Sequence, residues 1–84
     1  MAYKVAFKAS VRKDLRKIPE AMSVRILDAI EGDLASHPGK DKALKGQFAG
    51  LFVYRVGDFR VVYSLQGETI LVLRISHRKE AYRD

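Results

Sequence analysis

The 84-residue chain contains no cysteine, which excludes disulfide stapling and any thiolate-bound zinc. Histidine occurs only at His37 and His77, and the acidic residues show no ligand spacing. The sequence therefore predicts no metal site. No glycine-rich phosphate loop or dinucleotide motif is present, so no nucleotide cofactor is expected. No apolar run approaches the roughly 20 residues that a membrane span needs. Met1-Ala2-Tyr3-Lys4-Val5 is charged at once and lacks the apolar segment of a signal peptide. These absences lead to the expectation of a cytoplasmic protein with no membrane partner.

Acidic residues are also scarce, 10 against 16 Lys and Arg, which leaves a formal net charge of +6. An excess of that size in so small a chain favours an anionic partner such as nucleic acid, an acidic protein or a membrane surface. The hydrophobic content, 48%, is enough for the chain to fold alone, and the length allows one domain, residues 1–84.

Tyr3 to Phe7 alternates apolar and polar residues as a strand does. Ser10 offers an N-cap, and Val11, Leu15 and Ile18 then follow at helical spacing. Pro19 ends this helix and suits the start of another, with Glu20 complementing the dipole. Met22, Ile26, Ile30 and Leu34 predict a second helix from about Glu20 to Ser36, stopped by His37-Pro38-Gly39. Lys40 to Gly50 reads as polar and irregular, with a strand-like piece around Ala43 to Lys45. Leu51–Val56, Phe59–Leu65 and Ile70–Ser76 read as strands separated by Gly57-Asp58 and Gln66-Gly67-Glu68. The order predicts an α+β domain: an N-terminal strand, a helical hairpin, then an antiparallel meander of three to four strands.

Turn length predicts register. A two-residue turn at Gly57-Asp58 pairs Val53 with Val62 and Arg55 with Arg60. A three-residue turn at Gln66-Gly67-Glu68 pairs Val62 with Val72 and Arg60 with Arg74. Residues opposite each other share a face. One face then holds Phe52, Tyr54, Val56, Phe59, Val61, Tyr63, Leu65, Leu71, Leu73 and Ile75 for the helices to cover. The other holds Arg55, Arg60 and Arg74 in line. Like charges directly opposite are destabilising, so the row suggests an anion between them. The alternative is that the arginines fan outward or pair with Asp58, Glu68 or Glu80.

The tail His77-Arg78-Lys79-Glu80-Ala81-Tyr82-Arg83 adds a histidine, the residue type that titrates nearest neutrality, a phenol, and a guanidinium able to bind phosphate bidentately. A nuclease built from these groups without metal would use the adjacent 2′-hydroxyl of RNA as nucleophile, which restricts it to RNA.

Leu44-Lys45-Gly46, the block Tyr54-Arg55-Val56-Gly57-Asp58-Phe59-Arg60-Val61-Val62-Tyr63, and Val72 to Arg83 together resemble the RelE family of bacterial and archaeal toxins, within the RelE/ParE superfamily. The likeness covers essentially the whole chain. It implies the RelE/ParE-like fold and a type II toxin–antitoxin pair whose toxin cleaves mRNA in the ribosomal A site. It also implies an acidic, RelB-like antitoxin bound in a heteromeric complex. By resemblance, Arg60 stabilises the transition state, Arg78 serves the leaving group or phosphate, and Tyr82 is the base or orienting group. Lys45, Arg55, Arg74, His77 and Arg83 are the expected substrate-binding residues. The family's two lysines are absent from the strand holding Phe52 and Tyr54, leaving Lys45, Arg55 or His77 to substitute. A ParE-like inhibitor of DNA gyrase with the same fold, or a non-catalytic basic binding module, are the alternatives.

Overall fold

The computed structural model describes residues 3–39, 42–43, 50–77 and 79. Strand β1 (Lys4–Phe7) leads into helix α1 (Ala9–Arg16) and helix α2 (Glu20–Ala29). The last turns of the α2 rod widen into a π-helical segment, Ile30–Leu34. The short β2 (Lys42–Ala43) precedes β3 (Leu51–Val56), β4 (Phe59–Gln66) and β5 (Thr69–His77). The five strands form one mixed sheet in the order β1-β5-β4-β3-β2. β2 to β5 make the antiparallel meander, and β1 adds to its far edge parallel to β5. The expected α+β architecture is present, with β1 joined to the same sheet. No described helix is long and apolar enough to cross a membrane.

Both helices follow from local chemistry. Lys13 and Arg16 sit in the last turn of α1, where cations complement the helix dipole. Its N-cap is Lys8, not Ser10. The Ser10 hydroxyl instead donates to the Leu73 carbonyl at 3.0 Å, a longer-range use of the same capping-type group. Pro19 starts α2 from an extended backbone, and its carbonyl accepts the amides of Met22 and Ser23. The α2 stripe is buried as its spacing requires: Ile26, Ile30 and Leu34 have no solvent exposure. They pack with Val11 and Ile18 of the first helical segment against Val56, Val61, Tyr63, Ile70, Val72 and Ile75 of the sheet. Tyr63 stacks on Phe52 at 5.3 Å, and its hydroxyl accepts the Gly39 amide at 3.0 Å. Gly39 has φ 84°, a conformation suited to glycine where the helix must stop.

The β3–β4 register is as the turn length predicted: Val53 faces Val62, and Arg55 faces Arg60. The β4–β5 register is different. The turn is two residues, Gly67-Glu68, so Gln66 pairs with Thr69 and Leu65 with Ile70. A left-handed Gly67, φ 61°, makes the tighter turn accessible. That one-residue change reverses the faces of the first half of β5. Ile70 and Val72 are buried under the helices, where Leu71 and Leu73 had been expected. A β-bulge then restores the parity. Tyr63 pairs with Val72 but Val62 pairs with Arg74, leaving Leu73 as the extra residue. Ile75 is consequently back on the core face, opposite Val61.

Candidate functional site

The sheet face turned away from the helices carries the cationic groups. Gly57, at φ 59°, makes the tight β3–β4 turn that sets Arg55 and Arg60 directly across from each other. Arg60 is opposite Ser76, not Arg74, on its other side. Arg74 is opposite Val62 and thus lies two pairs along, diagonal to Arg60. The three arginines share a face, but they form a bent group and not a straight row. The two-residue turn and the bulge at Leu73 are together the physical reason, each moving the partner of Arg60 by one residue. Arg55 is exposed, whereas Arg60 is half-buried with its Nε shielded from solvent.

Arg74 is 63% exposed, and its Nε lies 3.4 Å from the Asp14 carboxylate. Asp14, which composition and motif do not single out, is thus an acidic partner of Arg74. The other Asp14 oxygen accepts the backbone amide of Ile75 at 2.9 Å. β1 pairs with β5 only as far as Val72. Beyond that point α1 takes over the β5 edge: the Lys8 amide donates to Val72, Ser10 to Leu73, and Asp14 accepts from Ile75. Side chains of a helix thus substitute for a neighbouring strand. The signal in the sequence was spacing. Asp14 falls three residues after Val11 and four before Ile18, inside the apolar stripe, where a carboxylate must be buried and partnered.

His77 does not join the arginines. It pairs with Phe59 on the helix side of the sheet and meets that ring edge-on, with centroids 5.3 Å apart at 84°. Its position follows from the restored parity after the bulge, which alternates Ser76 to the open face and His77 to the other. The Lys79 amide donates to His77 Nδ1 at 3.2 Å, which leaves the ring proton on Nε2. Lys45, Arg78, Tyr82 and Arg83 lie outside the described residues. A cleft of about 550 Å³ opens between the end of α1 and the end of β5, with Asp14, Lys17, Phe59, Arg74, Ser76 and His77 among its walls.

The arrangement can hold an anion: a cross-strand guanidinium pair with a third guanidinium beside it suits a phosphodiester in charge and in bidentate geometry. Over residues 5–82 the chain matches the family model of the ParE toxin of type II toxin–antitoxin system, parDE. It is 35% identical to toxin RelG of Mycobacterium tuberculosis over an alignment of 86 residues, covering 99% of each protein. It is 31% identical to toxin RelE of the same organism, covering 96% of this chain and 87% of that one. Its structure resembles the toxin–antitoxin complex RelBE2 from Mycobacterium tuberculosis with a TM-score of 0.87 and 32% identity, over 93% of this chain and 100% of that one. The RelE–RelB complex of Pyrococcus horikoshii gives a TM-score of 0.68 at 30% identity, over 96% and 100%. A family match running from β1 through the polar tail, over a sheet of this topology, leads to one assignment: the chain belongs to the RelE/ParE superfamily of toxins of type II toxin–antitoxin systems.

Proposed function

We propose that this toxin is a ribosome-dependent, metal-independent mRNA endoribonuclease. The observation that carries the reading is the Arg55–Arg60 pair, held face to face across β3 and β4 with Arg74 diagonal to it. Two guanidiniums set opposite each other on one face can grip a phosphate from both sides. In the reaction, the 2′-oxygen of the RNA attacks the adjacent phosphorus and its proton passes to a base. The 5′-oxygen leaves with a proton from an acid, giving a cyclic phosphate and a free 5′-hydroxyl. Arg60 stabilises the phosphorane charge, with Arg55 and Arg74 binding the flanking phosphates. Arg78 serves the leaving group and Tyr82 the proton transfer. Lys45 and Arg83 add cationic contacts. His77 faces the other side of the sheet, so the tail phenol is the better base.

The substrate would be mRNA presented in the ribosomal A site, in the cytoplasm. The partner would be an acidic, RelB-like antitoxin. The RelE–RelB assemblies among the similar structures support that pairing. The matched family model, named for ParE, favours one competing reading, inhibition of DNA gyrase. One experiment separates them: induction in cells with RNA cleavage mapping, beside a gyrase supercoiling assay. Cleavage within A-site codons with normal supercoiling is the expected result. Intact RNA with blocked gyrase would establish the competing reading, and neither effect would leave a non-catalytic basic module.

A further inference from the structure

The cleft at the α1–β5 edge shares only Arg74 with the site above and is joined through it to the arginine face. Arg74 and Ser76 belong to the open face by register, and both line the cleft. Phe59, Ile75 and His77 line it from the helix side. The cleft therefore wraps around the edge of β5, where β1 has ended and α1 has replaced it. Arg55, Arg60 and Ser76 sit at successive positions across three strands. An RNA strand lying across the sheet along that line would pass over the β5 edge and into the cleft.

The groups it would meet are cationic. Lys17 and Lys79 are exposed and line the cleft with Arg74. Asp14, the one acid among the described residues of the lining, is engaged by the Ile75 amide and by Arg74, so its charge is offset. Lys17 stands at the C-cap of α1, where it counters the negative end of the helix dipole that would otherwise repel a phosphate. The Ser76 hydroxyl and the Nε2–H of His77 can donate hydrogen bonds, and the Phe59–His77 pair gives one aromatic wall. We propose that this cleft is a second phosphate subsite for the substrate RNA strand, beyond the Arg55–Arg60 pair, with Lys17, Arg74 and Lys79 as its cationic ligands. The proposal rests on the RNA reading. An acidic peptide is disfavoured as occupant because the cleft continues into the arginine face that the RNA reading assigns to phosphate.

The test measures binding of 2′-O-methyl oligouridylates of increasing length to the full-length toxin across a salt series. These probes lack the attacking hydroxyl and stay intact. Lys17→Ala is compared with Arg25→Ala, an equal charge change on α2 outside the cleft. Losing one single-strand phosphate contact lowers the log–log salt slope by about 0.7. Lys17→Ala should show that drop for the longer probes alone, while Arg25→Ala keeps the wild-type slope. A slope unchanged in Lys17→Ala overturns the subsite, as does wild type that binds no probe. So does a Lys17→Ala variant that loses antitoxin affinity but no oligonucleotide affinity. A-site cleavage by wild type, assayed in parallel, reports on the catalytic reading. Cleavage with an unchanged slope removes the subsite alone. A Lys17-dependent slope without cleavage removes the nuclease and keeps the phosphate site.

Discussion

Asp14 of α1 accepts the backbone amide of Ile75 at 2.9 Å, on the outer edge of β5 past the point where β1 stops pairing with it. The bond crosses 61 positions of sequence and fixes the β5 edge just after the bulge that sets the open face. Replacing Asp14 by Ala leaves a buried donor without its acceptor, a loss of about 2 kcal/mol. Asp14→Asn keeps an acceptor oxygen for Ile75 and gives up only the charge facing the exposed Arg74, a contact worth little at the surface. Chemical denaturation should therefore rank wild type, Asn and Ala in falling order, with the Asn variant closer to wild type. Equal losses in the two variants would mean that charge, not the amide bond, holds the edge.

Gly57 and Gly67 have nearly the same left-handed backbone, φ 59° and 61°. A methyl group on Gly67 meets nothing within 4 Å, while one on Gly57 would lie 3.3 Å from the Met22 methyl. The backbone term dominates both substitutions, since an L-residue in this region costs roughly 1–2 kcal/mol. Gly57→Ala and Gly67→Ala should each lower unfolding stability by that amount, the former slightly more. A Gly67→Ala protein as stable as wild type would contradict the turn geometry.

Most of the architecture was legible because period and punctuation agree in this chain. Pro19 and the i, i+4 run from Met22 to Leu34 define the hairpin, and Gly57-Asp58 gives the β3–β4 register outright. The second register was not legible, because Gln66-Gly67-Glu68 supports either a two- or a three-residue turn and the bulge at Leu73 leaves no mark in composition. β5 is apolar at Ile70, Leu71, Val72 and Leu73 alike, so alternation cannot choose a face there. Ile75 and Arg74 came out on the expected faces because the two deviations cancel in parity. Asp14 was obscured by a different effect. It sits among six cations from Lys4 to Lys17 and reads as an ordinary solvated helix charge until its place in the apolar stripe is counted. The π-helical segment is likewise silent, since Ile30 and Leu34 are buried under either helix geometry.

The antitoxin prediction follows from charge. A toxin of net charge +6 with a guanidinium face would bind an acidic chain partly through long-range attraction. Association should slow and the complex should weaken as salt rises, because the Debye length shrinks to about 3 Å at 1 M. Titration calorimetry or kinetic binding across a salt series measures this. An affinity indifferent to ionic strength would place the contact on apolar surface.

Arg60 offers the sharpest test of the chemistry. It projects from β4 on the face opposite the helices, between Arg55 on β3 and Ser76 on β5, and so takes no part in the apolar core. Losing a preorganised electrostatic stabiliser typically costs roughly 10²–10³ in rate. Arg60→Ala should thus abolish growth arrest and A-site cleavage while keeping the circular dichroism spectrum. Tyr82→Phe, in the tail, removes only a hydroxyl. It separates proton transfer, which the phenol supplies, from stacking on a base, which the ring retains. A large fall in the cleavage rate with unchanged substrate affinity is expected of Tyr82→Phe. Full activity in that variant would exclude the phenol as base, and with His77 held against Phe59 on the far side the search would move to Lys45. A folded Arg60→Ala protein that cleaves at the wild-type rate would remove the open face as the catalytic site altogether.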